Sequence, residues 1–180
     1  MPNIVVVTGS VRPNSVNDKV VPLVVAELET QGATVTIADL KEINLPFFDA
    51  PSAPTAPGFE PEHESAKEWT KMVADADGVL FVTPEYNHTL SAVQSNAIDW
   101  IGKEWNGKQI ALVGYGWTSG AAQAHDVARE ALGVVLSANV GETQANLFIG
   151  KELSPTGDVV EAEAVQEKIA ATVTELLENC

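Results

Sequence analysis

The sequence predicts an α/β fold of three layers: a five-stranded parallel sheet wound with helices on both faces. Two observations predict it. Short apolar runs alternate with longer amphipathic stretches along the whole chain, and polar, glycine-bearing loops follow several of the apolar runs. A helix between successive strands makes a βαβ unit, and such units force parallel pairing with both sheet faces covered. Right-handed crossovers then give an open, doubly wound sheet. At 180 residues, the whole span 1–180 reads as one domain, large enough to bury a core without staples.

The first strand is read at Asn3–Thr8, where Ile4 to Val7 form an unbroken apolar run. The first helix is read over Ser15–Gln31, with Val16, Val20, Val24 and Leu28 on one face. Pro22 falls inside this pattern, where it removes an internal hydrogen bond, so a distortion is expected. The remaining strands are read at Thr34–Asp39, Gly78–Thr83, Gln109–Tyr115 and Thr143–Ile149. The remaining helices are read at Glu62–Ala76, Ser91–Ile101, Gly120–Leu132 and Val160–Leu177. Five strands suit the flavodoxin-like order 2-1-3-4-5, whose ligand crevice lies at the carboxyl ends beside the first and third strands. Between Leu45 and Pro61, five of the ten prolines make a stiff extended loop rather than a domain boundary. Phe47 and Phe48 in that loop either line the crevice or a subunit contact, or pin the loop to the core.

Three loops should then converge on one ligand. The first, Thr8-Gly9-Ser10-Val11-Arg12-Pro13-Asn14-Ser15-Val16-Asn17, joins a strand to a helix. Backbone N–H groups at a helix N-terminus stabilise an anion, Gly9 lets the backbone approach closely, and Ser10, Ser15 and Arg12 supply donors. The loop lacks the Gly-Lys-Ser/Thr of a nucleoside triphosphate site and the spaced glycines of a dinucleotide site, which leaves a ligand with one terminal phosphate. The second loop, Thr83-Pro84-Glu85-Tyr86-Asn87-His88, offers a stiffening proline, a flat ring and hydrogen-bonding groups for the edge of a planar ligand. The third, Gly114-Tyr115-Gly116-Trp117-Thr118-Ser119-Gly120, reads as a backbone-rich wall, with Gly114 and Gly116 for close approach and Trp117 as lid or wall. Glu142 precedes the next expected strand, which is the wrong end for a ribose-binding acid.

Composition narrows the function. With 25 Asp and Glu against 10 Lys and Arg, the formal net charge is −15, which disfavours nucleic-acid binding. No apolar run approaches the roughly 20 residues of a membrane span. No signal-peptide pattern is present, so the cytoplasm is the expected compartment. Cys180 is the only cysteine, which excludes an intrachain disulfide. His63, His88 and His125 are too scattered for a metal site, and none is expected. Ser119 lacks the surroundings of a hydrolase nucleophile.

At these residues the chain resembles a known family. Gly9-Ser10-Val11-Arg12-Pro13-Asn14-Ser15 is similar to the G-S-x-R-x-x-S signature of the NADPH-dependent FMN reductase family. Thr83-Pro84-Glu85-Tyr86-Asn87-His88 followed by Ser95-Asn96-Ala97-Ile98-Asp99-Trp100 is similar to that family's P-E-Y-N and K-N-A-I-D-W. The resemblance implies a flavodoxin-like FMN protein, a homodimer or homotetramer, that uses NADPH or NADH to reduce flavins, quinones, azo dyes or metal oxyanions. It implies that Ser10, Arg12, Ser15 and Asn17, with Val16 between them, hold the FMN phosphate. It places Pro84, Glu85, Tyr86 and Asn87 against the isoalloxazine and ribityl parts. Hydride transfer would occur at the flavin N5 in a ping-pong cycle, with no protein side chain required as acid or base; Glu85 and His88 resemble such a pair without being needed as one. The chain departs from the family at Ser95, where Lys is common, and in its fourth-strand loop, where Tyr115 and Trp117 replace a more glycine-rich run. Asp99, Trp100 and Trp105 are expected on a packing or subunit face. Two other functions share the fold: a flavodoxin-type electron carrier and a non-enzymatic binding protein. The Arg12 loop favours the reductase.

Overall fold

The computed structural model describes residues 1–180. Five parallel strands form one sheet in the order β2-β1-β3-β4-β5, the flavodoxin-like arrangement. They are β1 (Asn3–Val7), β2 (Thr34–Ala38), β3 (Gly78–Pro84), β4 (Gln109–Gly116) and β5 (Asn139–Phe148). The helices are α1 (Asn17–Thr30), α2 (Leu40–Ile43), α3 (Glu64–Asp75), α4 (Ala92–Asp99), α5 (Ala122–Ala128) and α6 (Ala162–Asn179). None is long and apolar enough to cross a membrane.

Strand alternation builds two cores. Val5 and Val7 of β1, with Val79 and Phe81 of β3, face a core shared with α3 to α5. Ile4 and Val6, with Leu80 and Val82, face α1 and α6. Every residue of central β3 is buried, whereas edge strand β2 is largely exposed, as expected of a strand covered on both faces and one at the rim.

The expected distortion at Pro22 is not a break. Helix α1 starts later than the apolar pattern implies, at Asn17, and runs through Pro22 to Thr30. Pro22 and Asp18 are both exposed, so the carbonyl that loses its partner four residues back faces water. Strand β5 starts four residues before its expected beginning at Thr143, and a bulge separates its two pairing segments on β4. Glu142 therefore lies inside the strand. Arg129 donates to the Gly141 and Glu142 carbonyls, and the Glu175 carboxylate accepts from the Glu142 and Thr143 N–H groups. These side chains replace the ladder bonds that the bulge breaks. Beyond Ala128 the fifth helix widens into a π-helical segment, Arg129–Val135.

Trp69, Trp100 and Trp105 are fully buried. Trp100 and Trp105 thus serve packing within the chain rather than a surface contact. Their indole N–H groups reach the Pro46 and Ile98 carbonyls at 2.8 and 3.2 Å. Phe48 meets Trp100 edge-on at 5.0 Å between ring centroids, which pins the proline-rich loop. Asn96 completes the anchor: its Oδ1 accepts from Phe48 N–H and its Nδ2 donates to Pro46 O, both at 2.9 Å. Phe47 is exposed.

Candidate functional site

The three loops after β1, β3 and β4 meet at the carboxyl edge of the sheet. They enclose a cleft of about 270 Å³. Arg12, Asn14, Ser15 and Val16 form its floor, Pro84, Glu85 and Tyr86 one side, and Tyr115, Gly116 and Trp117 the other. Ile149 and Pro155, beyond the end of β5, close it. Eight of the residues read from the sequence therefore line one cavity: Arg12, Ser15, Val16, Pro84, Glu85, Tyr86, Gly116 and Trp117. Ser10, Asn17, Asn87 and Gly114 lie behind or beside it. A wider cleft of about 430 Å³ lies under the proline-rich loop. Asp49, Glu60 and Glu62 line it, which makes it unfavourable for an anion.

The floor is set by contacts across the chain. A Cβ on Gly9 would collide with the Pro84 ring and the Val82 carbonyl, so only glycine lets the first loop lie on β3. Asn17 is buried, and its Oδ1 accepts from the Gly9 N–H at 3.2 Å. It latches the loop to the start of α1. No side chain caps that helix at Val16; the Asp18 and Lys19 N–H groups bond the Ser15 and Val16 carbonyls, and the Asn17 N–H is directed at the Tyr115 oxygen. Ser15 is turned toward Asp18, with its N–H 3.1 Å from one carboxylate oxygen and its hydroxyl 3.4 Å from the other. Ser10 Oγ accepts from the Arg12 N–H at 3.3 Å and lies 3.0 Å from Tyr86 Oη.

Tyr86 is aimed by strain. Tyr86 and Thr89 exchange backbone hydrogen bonds at 3.1 Å. Between them Asn87 and His88 both adopt left-handed backbone, with φ of 50° and 63°. Two consecutive positive φ values are characteristic of a two-residue hairpin turn. Asn tolerates this conformation; His does so at a cost, of the kind stored at functional loops.

Glu85 contributes backbone and Cβ to the cleft edge, but its carboxylate turns away. It accepts from Ser119 Oγ at 2.6 Å and from the Gln123 and Ala124 N–H groups at 3.1 and 3.3 Å. It therefore caps α5 and ties the second loop to the third. His88 Nδ1 stands 3.6 Å from the same carboxylate. Under the third loop, a Cβ on Gly114 would collide with Ala121 and His125. His125 is wholly buried, and that burial pushes its pKa down to about 4, which makes it neutral at pH 7. Trp117 is largely exposed and packs over Gly150.

Tyr115 was not among the residues singled out from the sequence as ligands. Its side chain points to the α1 face of the sheet, where the Asn17 N–H is directed at its oxygen and its buried hydroxyl proton has no acceptor. Burial, then the nearby Tyr86 and Asp18, raise its pKa, so the hydroxyl keeps its proton. Sequence alternation along β4 could have placed Tyr115 with Ala111 and Val113 on that face, but not its hydroxyl beside the cleft. The floor thus combines the Arg12 guanidinium, the Ser10 hydroxyl, the positive end of α1 and a tyrosine hydroxyl whose proton has no acceptor. That donor set fits a phosphate monoester.

Comparison with known proteins agrees with this geometry. The family model for NADPH-dependent FMN reductase matches residues 2–150. An NAD(P)H-dependent FMN reductase of a Nectria species is 32% identical over 157 residues, 82% of this chain and 75% of that one. An NAD(P)H-dependent FMN reductase of Saccharomyces cerevisiae is 27% identical over 184 residues, 97% of this chain and 96% of that one. Among solved structures, the flavoenzyme NAD(P)H:(acceptor) oxidoreductase FerB from Paracoccus denitrificans superposes with a TM-score of 0.78 at 22% identity, over 99% of both chains. With its sheet order and cleft, the chain belongs to the NADPH-dependent FMN reductase family.

Proposed function

We propose that this protein binds FMN in the cleft and uses NADPH or NADH to reduce small, flat acceptors such as quinones or flavins. One observation carries the reading: donors suited to a phosphate and a tyrosine held by a strained turn converge at the carboxyl ends of β1, β3 and β4. Bound FMN would supply the hydride-accepting centre. The chain's own task is to hold and orient it. Arg12, Ser10, Ser15 and the start of α1 bind the phosphate. Asn17 fixes the loop that presents them. Tyr86 lies against the ring, Pro84 and Asn87 set its place, and Gly114, Gly116 and Trp117 form the opposite wall. Glu85 acts through its cap on α5, which couples both ring-side loops.

The cleft volume of about 270 Å³ lies just below the range of about 300–1,000 Å³ typical for small-molecule sites. The phosphate and ribityl parts would fill it, leaving the ring at its open mouth, where donor and acceptor can alternate. Azo dyes and metal oxyanions would meet the same exposed ring. The same reading makes the protein a cytoplasmic homodimer or homotetramer, with exposed Phe47, Val134 and Val135 available to a subunit contact; sedimentation of the purified protein checks this.

The deciding experiment is a visible spectrum of the protein with FMN, followed anaerobically as NADPH and then NADH are added. Rapid bleaching of bound flavin is expected. Bound flavin that stays oxidised would make the protein an electron carrier, and absence of binding would overturn the reading.

A further inference from the structure

We propose that the Tyr115 hydroxyl is a phosphate ligand of the cleft, donating its hydrogen bond to the terminal phosphate of the bound flavin. The proposal rests on the reading that FMN occupies this cleft. Tyr115 is 5% exposed, ends β4, and extends toward the start of α1 rather than toward the ring-side loops. Its hydroxyl proton finds no acceptor in the fold. The Asn17 backbone N–H is directed at the oxygen, and Arg12, Asp18 and Tyr86 stand close enough to act on its charge. Arg12 and Tyr115 line the same cavity. A buried hydroxyl without a partner is rare and costly in a folded protein, and each instance calls for a ligand, a water or a strain.

The surroundings favour an anionic ligand. The hydroxyl stays protonated, so it is a donor, and its neighbour across the cavity is a guanidinium. A neutral O–H donated to a charged oxygen is a stronger bond than one donated to water. The start of α1 is uncapped at the same place. A phosphate seated near that helix turn would lie between Arg12 and Tyr115 and would accept the proton that the fold leaves without a partner at Tyr115. Phenylalanine would fill the same space without the donor.

The test is Tyr115→Phe, titrated with FMN and with riboflavin, which lacks the phosphate. FMN affinity is expected to fall roughly 10- to 100-fold, as for one hydrogen bond to a charged group, while riboflavin affinity is unchanged. The flavin-free variant is expected to melt at or above the wild type, because an unsatisfied hydroxyl has been removed. A variant that melts lower, loses both flavins equally, or keeps its FMN affinity overturns the proposal. Wild-type protein that binds riboflavin as tightly as FMN also overturns it, yet leaves the flavin reading standing. If the wild type binds neither flavin, that reading falls and inorganic phosphate decides. A phosphate-induced rise in melting temperature present in the wild type and absent in Tyr115→Phe supports Tyr115 as the ligand; no such difference overturns it.

Discussion

Glu85 offers the sharpest test of how this site is built, because its carboxylate is 5% exposed and faces α5 rather than the cleft. Replacing it with alanine strands one hydroxyl and two helix N–H groups. A hydrogen bond to a charged group contributes about 1.5–3 kcal/mol, and loss of a helix cap typically costs about 1 kcal/mol. The three donors share one acceptor, and water can reach the Gln123 end, so these contributions overlap; the expected loss for Glu85→Ala is about 3 kcal/mol. For a chain of 180 residues, that corresponds to a fall of roughly 6–12 °C in melting temperature. Glu85→Gln keeps an acceptor oxygen but removes the charge at the helix start, and is expected to cost about 1 kcal/mol. Urea unfolding followed by far-UV circular dichroism measures both, with an unchanged denaturant slope as the control for two-state behaviour. The glutamine variant should retain FMN affinity. A loss below about 1 kcal/mol for Glu85→Ala would refute the cap. Strong loss of FMN affinity in a stable Glu85→Gln protein would place the carboxylate on the flavin instead.

Other expectations follow from the same geometry. Arg12→Ala should weaken FMN binding by about 1.5–3 kcal/mol, read by fluorescence titration, and unchanged affinity would remove Arg12 from the phosphate site. Burial lowers the His125 pKa to about 4 from an ordinary 6.5, so the unfolded chain takes up its proton first as pH falls. Its contribution is fully present above pH 6.5 and declines between pH 6.5 and 4 by up to about 3 kcal/mol. Urea unfolding at pH 7.5 and 5 should therefore show a steeper acid loss in the wild type than in His125→Leu; equal slopes would contradict it. Asn96→Ala removes two of the hydrogen bonds that hold the proline-rich loop and leaves the one from Trp100 to Pro46. It is expected to cost about 1–3 kcal/mol and to speed proteolysis between Leu45 and Pro61, and an unaltered digestion rate would count against the anchor.

Much of the architecture could be read from local pattern. Ile4 to Val7 and Val79 to Val82 are continuous apolar runs, which only strands covered on both faces require. Gly9, Ser10, Arg12 and Ser15 follow the first of them, so a polar loop at the carboxyl end of β1 could be placed as the floor of a cleft. Five strands alternating with helices suited the flavodoxin-like order, which the sheet adopts. Local pattern was less able to set limits. It extended the first helix to Ser15, missed α2, and started β5 at Thr143. The last of these depends on partners distant in sequence: the bulge in β5 exists because Arg129 and Glu175 satisfy its backbone.

Periodicity and residue type thus settled which segments become strands, which loops line the cleft, and that the first loop carries an arginine and serines. These are properties of neighbouring residues, and the chain carries them wherever it goes. Tertiary structure decided where individual side chains spend their hydrogen bonds. Glu85 looks from its motif like a ligand contact, yet its carboxylate finds the N-terminus of α5 more than thirty residues away. Trp100 turns inward to Pro46, and Tyr115 brings an unpaired hydroxyl to the start of α1. A buried polar group takes its direction from the partner that compensates its lost water, and that partner is chosen by folding rather than by sequence neighbours.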